Sequence, residues 1–159
     1  MRSILTLLGL LLSLLLSLST EAGDFHELKW DNLLAPGETA TTSQAKNTQH
    51  TTTAPQAIGK VNPALNGNAI TLPGYAVPLE GDGQTVTAFL LVPFFGACIH
   101  VPPPPSNQVV LVRAPSGVPV DDLWDAIKVS GTLHVQDSHH DLANAGYTLD
   151  AVNVTPYPN

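Results

Sequence analysis

Thiols are almost absent from this 159-residue chain: Cys98 is its only cysteine. An intramolecular disulfide is therefore impossible. Basic residues are also scarce, six Lys and Arg against thirteen Asp and Glu, for a formal charge of −7. Cations so few and scattered argue against nucleic acid and against anionic membrane surfaces as partners. A divalent cation is electrostatically more compatible. Helix-forming stretches are short, and none is long enough for the crossovers of a βαβ fold. No internal repeat is visible.

The one long apolar run lies at the start. Arg2 precedes Ile4–Leu18, which is polar only at Thr6, Ser13 and Ser17. The run falls short of the ~20 residues a membrane span needs, and no basic stop-transfer cluster follows. Thr20-Glu21-Ala22 supplies small residues where a signal peptidase reads, which predicts cleavage after Ala22. Cleavage removes Arg2 and Glu21, one charge of each sign, so the mature chain keeps its charge. No cysteine near that point supports a lipoprotein. The expected destination is the periplasm or the exterior, with no span in the mature protein.

The mature chain has the length of one domain. Residues 1–22 read as signal peptide, 23–57 as an N-terminal segment and flexible linker, and 58–159 as a small barrel domain. Asp24–Leu34 carries Phe25, Leu28, Trp30, Leu33 and Leu34, a segment suited to docking Trp30 on the domain. Ala35–Ala57 turns to Thr, Ala, Gln and Pro, with too little apolar surface to offset its ordering entropy. Asn62-Pro63 predicts one helical turn ending at Gly67. Strands follow at Ala69–Leu79, with a bulge expected at Pro73-Gly74, and at Thr85–Phe95, joined by the turn cluster Glu80–Gly83. Further strands are expected at Gln108–Val112, Ile127–Val135 and Tyr147–Val154. Brief helical turns are expected at Asp121–Ala126 and Asp137–Ala145. Five short strands with turn chemistry between them predict a mainly β fold: a small antiparallel five-stranded barrel of the oligonucleotide/oligosaccharide-binding (OB) type.

The sharpest motif is Cys98-Ile99-His100, followed by the strap Pro102-Pro103-Pro104-Pro105. In an extended segment Cys98 and His100 face the same way; thiolate with imidazole suits zinc, and both also suit copper. Two ligands do not complete a site. The remaining candidates are His134, His139 and His140, with Asp137 and Asp141 beside them. The competing reading is a buried structural cysteine, with the strap as a wall or a partner surface. Thiol catalysis would need an oxyanion loop and a third orienting residue. Neither can be named, so a non-enzymatic role is expected.

The motifs Gly74–Glu80, Phe89–Gln108 (FLLVPFFGACIHVPPPPSNQ), Val129–Leu133 and Ala145–Tyr147, with the early Trp30–Pro36 segment, resemble the exported bacterial DUF3299 family, proteins with a domain of unknown function. Some members sit beside ABC-transporter genes that respond to zinc shortage. The resemblance implies an accessory of zinc handling in the envelope, with a periplasmic or inner-membrane transporter component as partner. It brings Cys98, His100 and Asn107 into the candidate site. His134, His139 and His140 lie outside the shared motifs. The alternative is a metal-free periplasmic interaction module.

Overall fold

Alternation decides the longest strands. In Ile127–His139 the side chains of Ile127, Val129 and Leu133 are buried, while Lys128, Ser130, Thr132 and His134 between them stay half-exposed. That is the pattern of a strand with one face on a core. A computed structural model describes residues 24–39, 56–97 and 103–157. The expected signal peptide and most of the linker lie outside these. Among the described residues there are six strands: β1 (His26–Glu27), β2 (Asn68–Gly81), β3 (Thr85–Val92), β4 (Val110–Pro119), β5 (Ile127–His139) and β6 (Asn144–Pro156). Helical content among the described residues is confined to 3-10 turns at Trp30–Leu33, Pro63–Leu65, Ser106–Gln108 and Val120–Leu123. No helix among the described residues is long and apolar enough to cross a membrane.

The strands run in the order β2-β3-β4-β6-β5, and β5 pairs back onto β2 to close a five-stranded barrel. The two-residue β1 adds to β2 in parallel. Counted from β2, the order is first, second, third, fifth, fourth, with the third and fifth strands parallel. This is an OB-like Greek-key closure. One pairing therefore differs from the antiparallel expectation: β4 and β6 run parallel through Val110↔Tyr147 to Arg113↔Asp150. The intervening β5 supplies the crossover a parallel pair requires.

Strand β3 shows why its sequence is unbroken rather than alternating. Phe89 and Leu91 fill the barrel with Val110, Val112, Val129, Leu133, Tyr147 and Leu149. Leu90 and Val92 face outward and are covered by a second cluster containing Val77, Ala97, Val109, Leu111, Ala143 and Ala145. Both faces are buried, so both parities are apolar.

Three local expectations are corrected. The strand expected to reach Phe95 ends at Val92, because Pro93 has no N–H for the ladder and Gly96 turns the chain at φ 80°. Phe94 and Phe95 are exposed, and Phe95 meets Tyr75 edge to face at 6.0 Å. Asp137–Ala145 is not helical: β5 runs through His139, and β6 returns from Asn144, with His139↔Asn144 and Ser138↔Ala145 in register. Cross-strand pairing overrides the polar, helix-compatible composition of that stretch. Nor is Pro73-Gly74 a bulge, since β2 pairs with β5 without a break from Asn68 to Gly74. The irregularities of β2 lie at Pro78, Glu80 and Gly81.

Gly74 has a different reason. Here β2 leaves the register it shares with β5 and, from Tyr75 onward, pairs with β3. A Cβ at Gly74 would lie 2.8 Å from the Val92 carbonyl oxygen and 3.0 Å from Trp30 Cζ2. The Trp30 indole N–H donates to the Pro73 carbonyl at 2.8 Å, which docks the N-terminal segment at this bend. Gly74→Ala is expected to lower unfolding free energy by about 1–3 kcal/mol, as overpacking against fixed backbone does. Urea denaturation checks this, and an unchanged midpoint would contradict the packing argument.

Candidate functional site

The second half of the central motif is structural. Pro104, Ser106, Asn107 and Gln108 are all buried. Polar side chains so enclosed need partners, and they find them on the N-terminal segment, except Asn107 Oδ1, which has none among the described residues. Ser106 Oγ accepts from the Gly59 N–H at 3.1 Å, and the Ser106 N–H donates to the Ala57 carbonyl. Asn107 Nδ2 donates to the Lys60 carbonyl at 2.9 Å, and Gln108 Nε2 donates to the Trp30 carbonyl at 3.0 Å. Asn107 so fills its niche that a Cβ on Gly59 would sit 2.1 Å from it. Asn107 therefore takes part in a latch, and it also lines a cleft with Leu34, Glu38 and Ile58. Ser106 and Gln108 join the latch, a role that the sequence reading missed although SNQ follows the proline run directly.

Tyr147 completes the latch from inside the barrel. Its hydroxyl donates to the Leu33 carbonyl and accepts the Asn62 N–H at 2.6 Å. Burial holds its pKa above the usual 10.0, partly offset by the Asn62 N–H.

Of the metal candidates, Cys98 and His100 lie outside the described residues, as does Pro102. The described ends of that stretch are informative. Ala97 is buried in the outer cluster with Ala143 and Ala145, at the β5–β6 turn. On the other side, the Pro104 carbonyl accepts from Gln56 Nε2, which also donates to the Asn144 carbonyl. Pro103 and Pro105 are half-buried, and so the proline strap is in part a wall on this end of the barrel.

The β5–β6 turn carries His139 and His140. His139 Nδ1 lies 2.8 Å from Asn144 Oδ1. An acceptor at that position places the ring proton on Nδ1 and leaves the Nε2 lone pair free. His140 Nε2 is buried and has no hydrogen-bond partner among the described residues. His134 stands apart on β5, its Nε2 3.3 Å from Asp150 Oδ2. Among the described residues, no three His, Cys, Asp or Glu side chains converge on a common point. The structure thus separates His134 from His139 and groups the latter with His140 and the two ends of the Cys98 stretch.

A groove of about 750 Å³ runs over the outer face of the barrel. Glu80, Arg113, Thr132, His134, His140 and Asp150 supply its polar groups. Arg113 Nη1 lies 3.9 Å from Asp150 Oδ1, both half-exposed. Sequence reading passed over Arg113 and Asp150. Their signal was a single charge standing two residues from Leu111 in one strand and three from Tyr147 in another.

A family model described as a protein of unknown function (DUF3299) matches residues 21–156. The crystal structure of a DUF3299 family protein from Pseudomonas aeruginosa PAO1 is similar, with a TM-score of 0.72 and 39% identity. The match covers 86% of this chain and 99% of that one. No curated protein matches the chain.

Tyr147→Phe removes this partner from the Leu33 carbonyl and the Asn62 N–H, which still bond each other at 3.2 Å, an expected loss of about 0.5–1.5 kcal/mol by denaturant titration. The hydroxyl also gives stability a pH dependence. With the folded pKa above the unfolded one, its contribution is complete below pH 10.0 and is lost as pH rises through the folded value. Melting curves across that alkaline window should show a fall in the parent that is shallower in Tyr147→Phe. Parallel curves would assign the alkaline loss to other groups.

Proposed function

This chain belongs to the DUF3299 family, and from that premise we propose that it is an exported, non-enzymatic accessory of zinc handling in the bacterial envelope, working beside an ABC-type transporter. The observation that carries this reading is the packing of both described ends of the Cys98–His100 stretch. Ala97 shares a cluster with Ala143, and Pro104 is tied through Gln56 to Asn144. The histidine pair at 139 and 140 stands in that same turn. The donor chemistry fits zinc: one thiol, imidazoles, and an imidazole nitrogen at His140 that has no partner among the described residues. Zinc is cargo in this reading, and a small, acidic, exported barrel is a compatible carrier. The resemblance to exported relatives and the leader-like residues 1–22 support a periplasmic location, and the resemblance alone supports a transporter partner.

A second reading is a metal-free interaction module. Phe94 and Phe95, 42% and 72% exposed, stand before the proline strap and offer an apolar surface to a partner protein.

Zinc content and affinity of the chain lacking residues 1–22, purified under reducing conditions, separate the two. The transport reading expects one equivalent of zinc. It should be lost in Cys98→Ala/His100→Ala and weakened in His139→Ala/His140→Ala. Zinc binding should weaken as pH falls, because its ligands bind in their deprotonated form. No bound zinc, with a melting temperature unmoved by added zinc, would overturn that reading in favour of the interaction module.

A further inference from the structure

The outer face of the barrel carries an ordered row of side chains that the zinc reading does not use. Glu80 pairs with Ala88, Ala88 with Arg113, Arg113 with Asp150, and Asp150 with Thr132. One register line thus crosses all five barrel strands, from the β2–β3 turn to β5. These residues face outward, because Tyr147, Leu149 and Leu133 of the opposite parity are in the core. Along the row the groups read carboxylate, methyl, guanidinium, carboxylate, hydroxyl. They form the floor of the 750 Å³ groove, a volume in the range of small-ligand sites.

The neighbouring row is Leu90, Leu111, Thr148 and His134. Its Leu90 and Leu111 are sealed beneath the β5–β6 turn with Ala143. That turn forms one wall of the groove through His140. The opposite wall is apolar, with Pro115, Ala151 and Val152.

The charges select the ligand. Glu80 and Asp150 disfavour an anion, while Arg113 and His134, 3.9 and 3.3 Å from the Asp150 carboxylate, stand where a cation would bind. A neutral molecule rich in hydroxyls meets neither penalty. Its hydroxyls donate to the carboxylates and accept from Arg113, and its C–H faces lie on Ala88 and Ala151. We propose that this outer face binds a short neutral oligosaccharide. The site is separate from the Cys98–His100 stretch and does not require zinc.

The test is amide-shift mapping on the zinc-free chain lacking residues 1–22, titrated with chitotriose, maltotriose and, as an anionic glycan of equal length, trigalacturonate. At least one neutral trisaccharide should saturably shift amides at Leu111–Arg113, Thr132 and Asp150–Val152, and trigalacturonate should not. Asp150→Ala and Thr132→Ala should each weaken that binding about tenfold or more. Their melting temperatures should hardly change, because exposed ion pairs contribute little. Arg113→Ala should reduce glycan binding while leaving zinc content as in the parent, which keeps failure here distinct from failure of the zinc reading. No shift along the row with either neutral trisaccharide would overturn the proposal, as would binding equally strong in Asp150→Ala.

Discussion

The architecture depends on the two-sided pairing of β2. Its first half pairs with β5 and its second half with β3, so one 14-residue strand closes the barrel. The handover falls at Gly74, where backbone, the Leu91 side chain and the Trp30 ring crowd together and leave no room for a Cβ. Where β3 has ended, β1 takes the vacated edge of β2. The N-terminal segment is thus a part of the closure, and Leu28 and Leu33 are buried in the same core as the barrel residues.

That wedge needs fastening, and the fastening is polar. Ser106, Asn107 and Gln108 reach across to the backbone of residues 30 and 57–60, while the Tyr147 hydroxyl holds Leu33 and Asn62 from within. Buried polar groups with fixed partners specify one arrangement more sharply than apolar contacts do, since a slipped segment leaves them unpaired. The long motif around Cys98 therefore holds two functions in sequence. Its first part completes β3 and the outer cluster, and its last part latches the N-terminal segment. The stretch between them is anchored on both sides against the β5–β6 turn.

The same geometry separates two candidate surfaces. At one end of the barrel, the turn with His139 and His140 packs beside the anchors of the Cys98 stretch. On the adjoining outer face, the row from Glu80 to Thr132 has its own alternating charge. His140 borders both. Under the two proposals above, a metal ion and a glycan would occupy neighbouring but chemically different surfaces.

Much of the fold is legible in the sequence because it is written in local period and turn chemistry. The alternation of Ile127–Val135, the turn cluster after Glu80 and the cap at Asn62 fix strands and reversals by nearest-neighbour sterics alone; Asn62 Oδ1 indeed accepts from the Ala64 N–H. The apolar run after Phe89 signals a strand buried on both faces, and the lone Cys98 rules out an intramolecular disulfide. Tertiary structure decided what local pattern does not encode. The end of β3 at Val92, the strand rather than helix at Asp137–His139, and the parallel β4–β6 pair all follow from pairing between distant segments. So does the meeting of Arg113 with Asp150, 37 residues apart in the chain and adjacent in register. A residue's partner across a closed barrel is set by strand order and shear, which no window of sequence contains.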